Sequence, residues 1–329
     1  MENRRCYLCG DTNEENLKEV KTTKTLCLNC IPKDTIINID PMIKAMYNVE
    51  NKRRIINIVS WNWQFDTNAK KYIEILKYSP QVLIIQECTK NDFDYIKTMW
   101  KYKNWYNDDL NNEYSPLGVA IFSNDYKIEF TEIFNRKFRY IIPYYLSNEK
   151  YTFTLFLVWT KPEDDNDTKY NKHLNNAIDF YHKNKMIDDH TIFIGDFNTF
   201  ANKNNNNLRE LEEKFNNVSM INSTNSTENT EFKEKHTYYH GKNKHGDDNY
   251  GINDFCFISK YLTRRFDIDI IINLHNEWDD KEDKKHHWKG LSDHCPISVN
   301  ILLKENNIVL DLNSEESIKK FEEWYDKTK

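Results

Sequence analysis

From Arg53 onward the chain alternates between short apolar runs and stretches where apolar residues recur every three or four positions. The run IINIVS (55–60) predicts a strand, Asp66 caps a helix through Lys77, VLIIQ (82–86) predicts a second strand, and a helix follows over about 90–101. Strands are next predicted at 118–123, 126–134, 137–145 and 151–159, punctuated by Pro116 and Asn124-Asp125. Tyr170, Leu174, Ala177, Ile178 and Tyr181 share one helical face, and TIFIG (191–195) reads as a short buried strand. Further strands are predicted at 235–239, 254–259, 267–274 and 297–302, while the Asn/Ser/Thr/Glu-rich segment 202–231 predicts one helix and a loop. Strands mixed with helices, without strict βαβ alternation, predict an α/β (α+β) fold of two packed, mostly antiparallel sheets with helices outside.

Both ends carry smaller features. Asp40-Pro41 reads as an N-cap with Pro at the first helical position, opening a short helix with Ile43, Met46 and Tyr47 on one face. The tail predicts an amphipathic helix within 304–329, with Ile318, Phe321, Trp324 and Tyr325 on a docking face.

Composition narrows the function classes. The 329 residues allow one large domain or two unequal ones, and 39% apolar with 14% aromatic content supplies a sizeable core. With 46 Lys+Arg against 52 Asp+Glu the formal net charge is −6, unlike a uniformly basic DNA-coating protein. The longest apolar stretches, such as Tyr151–Trp159, fall short of the roughly 18 residues a membrane span needs. The start, MENRRCYLCG, has no apolar core of a signal peptide, so a cytoplasmic location is expected. The seven glycines form neither GxGxxG nor GxxxxGK[ST], which removes the usual backbone cradles for dinucleotides and nucleoside triphosphates.

Four of the seven cysteines, Cys6, Cys9, Cys27 and Cys30, form two Cys-x-x-Cys knuckles within the first thirty residues. This is zinc-ribbon spacing, and four thiolates saturate a tetrahedral ion, which predicts a structural zinc module over 1–35 with a linker at 36–52. The segment resembles the small four-cysteine zinc domain of ClpX-type unfoldases, of zinc-ribbon or treble-clef type. That resemblance implies a protein or nucleic-acid contact, or simply a brace for the fold. Cys88, Cys256 and Cys295 stand alone in apolar or motif contexts and read as buried, inert thiols.

Polar groups recur where the predicted strands run out: Asn62 in WNW (61–63), Glu87 in QE (86–87), Asp196 and Asn198 in GDFN (195–198), Asp254 in NDF (253–255), and Asp293 with His294 in SDH (292–294). Singly each reads as a turn residue, a cap or a solvated side chain. Together with LGVAIFS (117–123), and in this order, they resemble the endonuclease/exonuclease/phosphatase superfamily over about 53–303. Gly118 and Gly195 fall inside two of the motifs.

The resemblance implies a deoxyribonuclease I-like four-layer sandwich and a phosphoester hydrolase using Mg2+ or Mn2+. It implies that Glu87 is a metal ligand, with Asn62 and Asn198 bonding the phosphate or the metal's waters. Asp196 then orients or deprotonates the attacking water, and His294 donates to a phosphate oxygen with Asp254 fixing its ring. Asp293 becomes a second metal ligand or its neighbour. A phosphodiester is anionic, so such a site must neutralise it, activate a water and stabilise a leaving alkoxide. Two positions depart from the pattern: the ID dipeptide reads Asn253-Asp254, which leaves the acid in place, and where many members carry a catalytic His or Tyr, this chain reads LVWTKP (157–162). Trp159 cannot act as an acid, so that role is vacant or passes to Lys161 or a loop residue.

Three basic stretches interleave cations with aromatics: NRKFRY (135–140), KEKHTYYHGKNKH (233–245) and KKHHWKG (284–290). They suit a nucleic-acid backbone and its bases, or are solvated loops. The sequence therefore points first to a metal-dependent nuclease acting on DNA or RNA, its zinc module contacting substrate or a protein partner. The second reading is a phosphatase of a small or lipid-linked phosphoester, and the third a non-catalytic adaptor that keeps the fold.

Overall fold

Every residue of β9 (Thr152–Trp159) after the first is buried, and the side chains divide by parity between two apolar clusters. Phe153, Leu155, Leu157 and Trp159 enter one, Phe156 and Val158 the other. β10 (Thr191–Ala201) divides likewise: Ile192 and Ile194 join the first cluster, Phe193 and Phe197 the second. A strand with period-two side chains and both faces covered must lie between two layers.

The computed structural model describes residues 17–20, 24–27, 54–64, 69–107, 117–161, 170–201, 206–224, 237–242, 248–272 and 291–304. Three sheets are present among them. β1 (Leu17–Val20) and β2 (Lys24–Cys27) form a two-stranded antiparallel pair. The six-stranded sheet contains β3 (Arg54–Asn62), β4 (Val82–Thr89), β5 (Tyr102–Tyr106), β6 (Leu117–Ser123), β14 (Phe266–Ile272) and β15 (Ile297–Leu303), in the order β14-β15-β3-β4-β6-β5. The seven-stranded sheet runs β11-β13-β10-β9-β8-β7, with β12 (Tyr238–Lys242) added to β13 (Asp248–Ser259). Its other strands are β7 (Lys127–Phe130), β8 (Ile141–Ser147) and β11 (Met220–Asn222). Both sheets are mixed, through the parallel pairs β3–β4 and β9–β10.

The larger apolar cluster lies between these sheets and extends under α1 (Ala69–Leu76) and α2 (Lys90–Ile96), through Tyr72, Ile75 and Ile96. The smaller one packs α3 (Tyr170–Lys183) and α4 (Asn206–Asn217) on the outer face of β9, β10 and β13. Leu174, Ala177, Ile178 and Tyr181 supply the α3 face, as their spacing predicts. A short α5 (Lys260–Arg265) joins β13 to β14 and is capped by the Ser259 side chain. Two mixed sheets flanked by helices make this the deoxyribonuclease I-like α/β fold. No helix among the described residues is long and apolar enough to cross a membrane.

Several elements differ in extent from the sequence expectation. β8 begins at Ile141 rather than 137, because the Asn135 side chain accepts from Lys137 N and turns Arg136–Phe138 into a 3-10 turn. β5 was not signalled; its residues YKNWY lie on the sheet edge, partly exposed, without a clean apolar alternation. β10 and β13 run further than predicted, since each continues through a register shift between Asp196 and Ala201. The helix at 41–47, the Asp66 cap, residues 305–329 of the C-terminal helix and the 284–290 segment lie outside the described residues, as do Cys6, Cys9, Cys30 and the side chain of Cys27.

Candidate active site

Two glycines shape the strands that carry the site. A Cβ at Gly195 would lie 2.0 Å from the Val158 carbonyl, and its φ of 144° suits glycine alone, so glycine lets β10 press against β9 just before Asp196. A Cβ at Gly118 would meet the Tyr106 carbonyl at 2.3 Å, so β6 and β5 close up only without one. Three residues of the site occupy the left-handed region that side chains rarely adopt: Gln64 (φ 48°), Glu87 (φ 52°) and Asn198 (φ 48°). Glu87 sits at the β4–β6 register shift between Ile85 and Cys88. Such re-aimed residues beside a bulge are a recurrent device of functional sites.

The seven residues singled out by the motifs converge. Asn62 ends β3 in one sheet, and its Nδ2 donates to Asp196 Oδ2 of the other sheet and to Glu87 Oε1, both at 3.1 Å. Its own Oδ1 accepts from Gln64 N at 3.0 Å, which fixes the amide with its donor toward the carboxylates. Asp196 Oδ1 accepts from Asn198 N at 2.9 Å, and Asn198 Nδ2 donates to the Thr160 carbonyl at 2.8 Å. His294 Nδ1 lies 2.8 Å from Asp254 Oδ2, and its Nε2 lies 4.0 Å from Asp196 Oδ2. Both asparagine amides are therefore engaged with protein oxygens here, although the motifs suggest phosphate or metal-bound water for them.

Electrostatics follow from burial. Burial pushes the Asp196 carboxyl up to about 7, opposed by the His294 charge and reinforced by Asp254. Burial alone would lower His294, but the Asp254 charge and hydrogen bond, then Asp196 and Asp293, outweigh it and raise the imidazole to about 10. Glu87 is likewise raised by burial, against the hydrogen bond from Asn62 and the charges of His294 and Lys161, while Asp293 adds to the rise. Asp196, Asp254 and His294 lie within 4.8 Å of one another, close enough to hold an ion. His294 Nδ1 faces Asp254 Oδ2, and the neighbouring carboxylates favour the imidazolium form of the ring.

Further residues support these and carried no individual role in the sequence reading. Ser292 Oγ donates to the Asn62 carbonyl at 2.8 Å and accepts from His294 N at 3.1 Å, while Trp61 Nε1 donates to the His294 carbonyl at 2.9 Å. These pin the loop before β15 onto the end of β3. Tyr238 packs its ring 4.6 Å from that of His294. Buried Thr237 accepts at Oγ1 from Asn253 N (3.0 Å) and Asp254 N (3.1 Å), and its carbonyl accepts from Cys295 N (2.9 Å). Trp61 and Ser292 are visible as motif members, whereas Thr237 lies inside a stretch notable in sequence for its interleaved cations and aromatics. Cys88, Cys256 and Cys295 are buried free thiols, and burial pushes those of Cys88 and Cys256 well up, so neither is poised as a nucleophile.

The two-sheet sandwich with helices outside is the deoxyribonuclease I-like fold. Its solved relatives in fold include the endonuclease domain of TRAS1, a telomere-specific non-LTR retrotransposon, at 14% identity and a TM-score of 0.50 over 76% of this chain and 100% of that one. The 3' phosphatase NExo from Neisseria, bound to a product DNA hairpin, matches at 14% identity and a TM-score of 0.51 over 75% of this chain and 99% of that one. An endonuclease/exonuclease/phosphatase family protein from Bacteroides thetaiotaomicron matches at 12% identity and a TM-score of 0.48 over 76% and 98%. No family model matches the chain, and no curated protein sequence matches it. At such identities the likeness concerns the fold.

Proposed function

We propose that this protein is a divalent-metal-dependent phosphodiester hydrolase acting on nucleic acid. The observation that carries the reading is the link Glu87–Asn62–Asp196, closed on its far side by the His294–Asp254 pair. That set offers an anionic metal pocket, a carboxylate base and a cationic donor within one buried cluster, as phosphoester hydrolysis requires.

Glu87 and Asp293 fit Mg2+ or Mn2+. Asp293 is close enough for its charge to raise Glu87, and Asp293 Oδ1 is buried without a hydrogen-bond partner among the described residues. Two hard oxygen donors held near each other in this way suit an ion that keeps several waters. When bound, that ion neutralises the phosphate and acidifies a water. Asp196, its carboxyl raised by burial, accepts the proton of the attacking water, and Asn62 holds its carboxylate in place. His294, cationic through the neutral range, donates from Nε2 to a phosphate oxygen, with Asp254 fixing the ring through Nδ1. Asn198 orders the Asp196 loop and stands ready to turn its amide to the phosphate.

The domain plan that goes with this reading is a zinc module at 1–35 on Cys6, Cys9, Cys27 and Cys30, a linker at 36–52, a catalytic domain at 53–303 and a helix within 304–329. The zinc module then contacts the polymer or a protein partner. A second reading, hydrolysis of a terminal phosphomonoester, is favoured by the fold's likeness to a 3' phosphatase.

The test is a screen of purified protein, with Mg2+ or Mn2+ and with chelator, against single- and double-stranded DNA, RNA and phosphomonoesters. Chelator-sensitive cleavage of a polymer is expected. Its affinity should fall log-linearly with salt, and neutralising Lys242, Lys244 and Lys289 should flatten the slope. Turnover of monoesters alone, with a flat salt response, would move the assignment to the phosphatase reading.

A further inference from the structure

Lys161 stands where the chain departs from the motif pattern, two residues after Trp159. The segment carrying it is strapped to the Asp196–Asn198 turn by three hydrogen bonds. Thr160 N donates to the Asp196 carbonyl at 3.0 Å, Thr160 Oγ1 to the Phe197 carbonyl at 2.5 Å, and Asn198 Nδ2 to the Thr160 carbonyl at 2.8 Å. The next residue, Lys161, therefore leaves the strand at the rim of the cluster. Its ammonium lies 3.8 Å above the Trp159 ring and 5.2 Å from the Tyr140 ring, and these two rings are themselves 4.6 Å apart. Trp159 and Tyr140 are each 3% exposed, so the platform under the cation is rigid.

An indole face is the strongest of the aromatic seats for a cation, and here it gives a long, rotamer-rich side chain a defined seat. The ammonium is also close enough to act electrostatically on Glu87. A fixed cation beside a carboxylate destined for a metal ion is at odds with metal binding alone, because the two positive charges repel. It is explained if an anion is to lie between them.

We propose that Lys161 is a substrate-contacting cation of this active site, its ammonium taking a non-bridging oxygen of the scissile phosphate. The inference rests on the phosphoester reading above and names the group that serves the position vacated at Trp159. Trp159 has no group that ionises in the working pH range, so its part is to hold the ammonium, and Lys161 acts by charge without transferring a proton. Lysine is a point charge here, so arginine should substitute in part and a neutral isostere should not.

The experiment compares the full chain with Lys161→Met and Lys161→Arg in two assays, with thermal melts to show that both variants fold. One assay is cleavage of a short DNA oligonucleotide with Mn2+. The other is binding of a phosphorothioate oligonucleotide of the same sequence with Ca2+, which needs no turnover. Lys161→Met should lose about 30- to 100-fold in kcat/KM and at least about 10-fold in analogue affinity, with Lys161→Arg recovering part of both. Mn2+ binding in the absence of oligonucleotide should be unchanged or tighter in Lys161→Met, since a repelling charge is gone. If Lys161→Met cleaves and binds like the unaltered protein, the role of Lys161 is refuted while the hydrolase reading stands. If nothing is cleaved but Lys161→Met still loses analogue affinity, the phosphate contact stands and the hydrolase reading falls. Weaker Mn2+ binding in Lys161→Met would overturn the proposal by making Lys161 a support of the metal pocket.

Discussion

Asp196 and Asp254 are register partners across the antiparallel pair β10–β13, and both side chains are buried. Like charges directly opposite on adjacent strands repel, and burial makes each ionised carboxylate costlier still. His294 resolves the conflict: its Nδ1 is 2.8 Å from Asp254 and its Nε2 faces Asp196 at 4.0 Å. The imidazole and the two carboxylates are thus conditional on one another, and the chemistry proposed for these three groups is tied to their contribution to stability.

Asp254→Asn should remove the hydrogen-bonded charge that raises His294 to about 10 and let the imidazole fall toward or below its ordinary 6.5. Activity should then fail on the alkaline side at lower pH than in the unaltered protein, as a pH–rate profile will show. Stability follows the same linkage. A folded-state value raised from 6.5 to about 10 contributes stability that is fully present below about 6.5 and lost as pH rises through about 10. Melting temperatures from pH 6 to 10.5 should decline more steeply for the unaltered protein than for Asp254→Asn. His294→Ala and Asp196→Asn should each reduce turnover by at least about 100-fold, and near-normal rates in either would refute its role.

Glu87→Gln should abolish divalent-metal binding and chelator-sensitive turnover while leaving the fold intact. The fold should survive because a glutamine Oε1 can still accept from Asn62 Nδ2, the bond now made at 3.1 Å. Titration with Mn2+ beside circular dichroism distinguishes the two effects. Unchanged Mn2+ affinity would show that Glu87 is not a ligand.

Thr237→Val should destabilise the protein by about 1–3 kcal/mol, because it removes the acceptor for two buried backbone N–H groups, those of Asn253 and Asp254. The Thr237 backbone carbonyl, which holds the Cys295 amide, is untouched by the change, so the loosening should fall on the Asp254 half of the Asp254–His294 pair and lower kcat more than it raises KM. Thr237→Ser keeps the acceptor and should restore both properties. Equal kcat in the valine and serine forms would confine Thr237 to the fold.

Deleting residues 1–35 should remove one zinc per chain and leave cleavage of a short substrate unchanged, while affinity for a long polymer or a protein partner drops. Four thiolates fill a tetrahedral ion and leave no position for substrate or water. A module of this size has too small a core to fold without its metal, so zinc loss and unfolding of the module should coincide. Metal analysis of the truncated chain checks the first statement and paired assays on short and long substrates the second. Collapse of short-substrate turnover would make the module a brace of the active site.

Sequence alone determined the two-sheet architecture, because strand and helix periods are local properties and the covered strands read as apolar runs such as TIFIG and YTFTLFLVW. It also located the polar residues that interrupt those runs and the glycines beside them. β5 escaped because an edge strand is only partly buried and has little apolar signal to show. Thr237 escaped because its importance lies in backbone amides of a strand distant in sequence. The pairing of Asp196 with Asp254, the span of Asn62 between the sheets and the seat of Lys161 on Trp159 were decided by tertiary structure. Each depends on strand register, on the packing of one sheet against the other or on a rotamer held by buried rings. Those quantities are set when distant segments compete for the same interior space, and no local pattern encodes them.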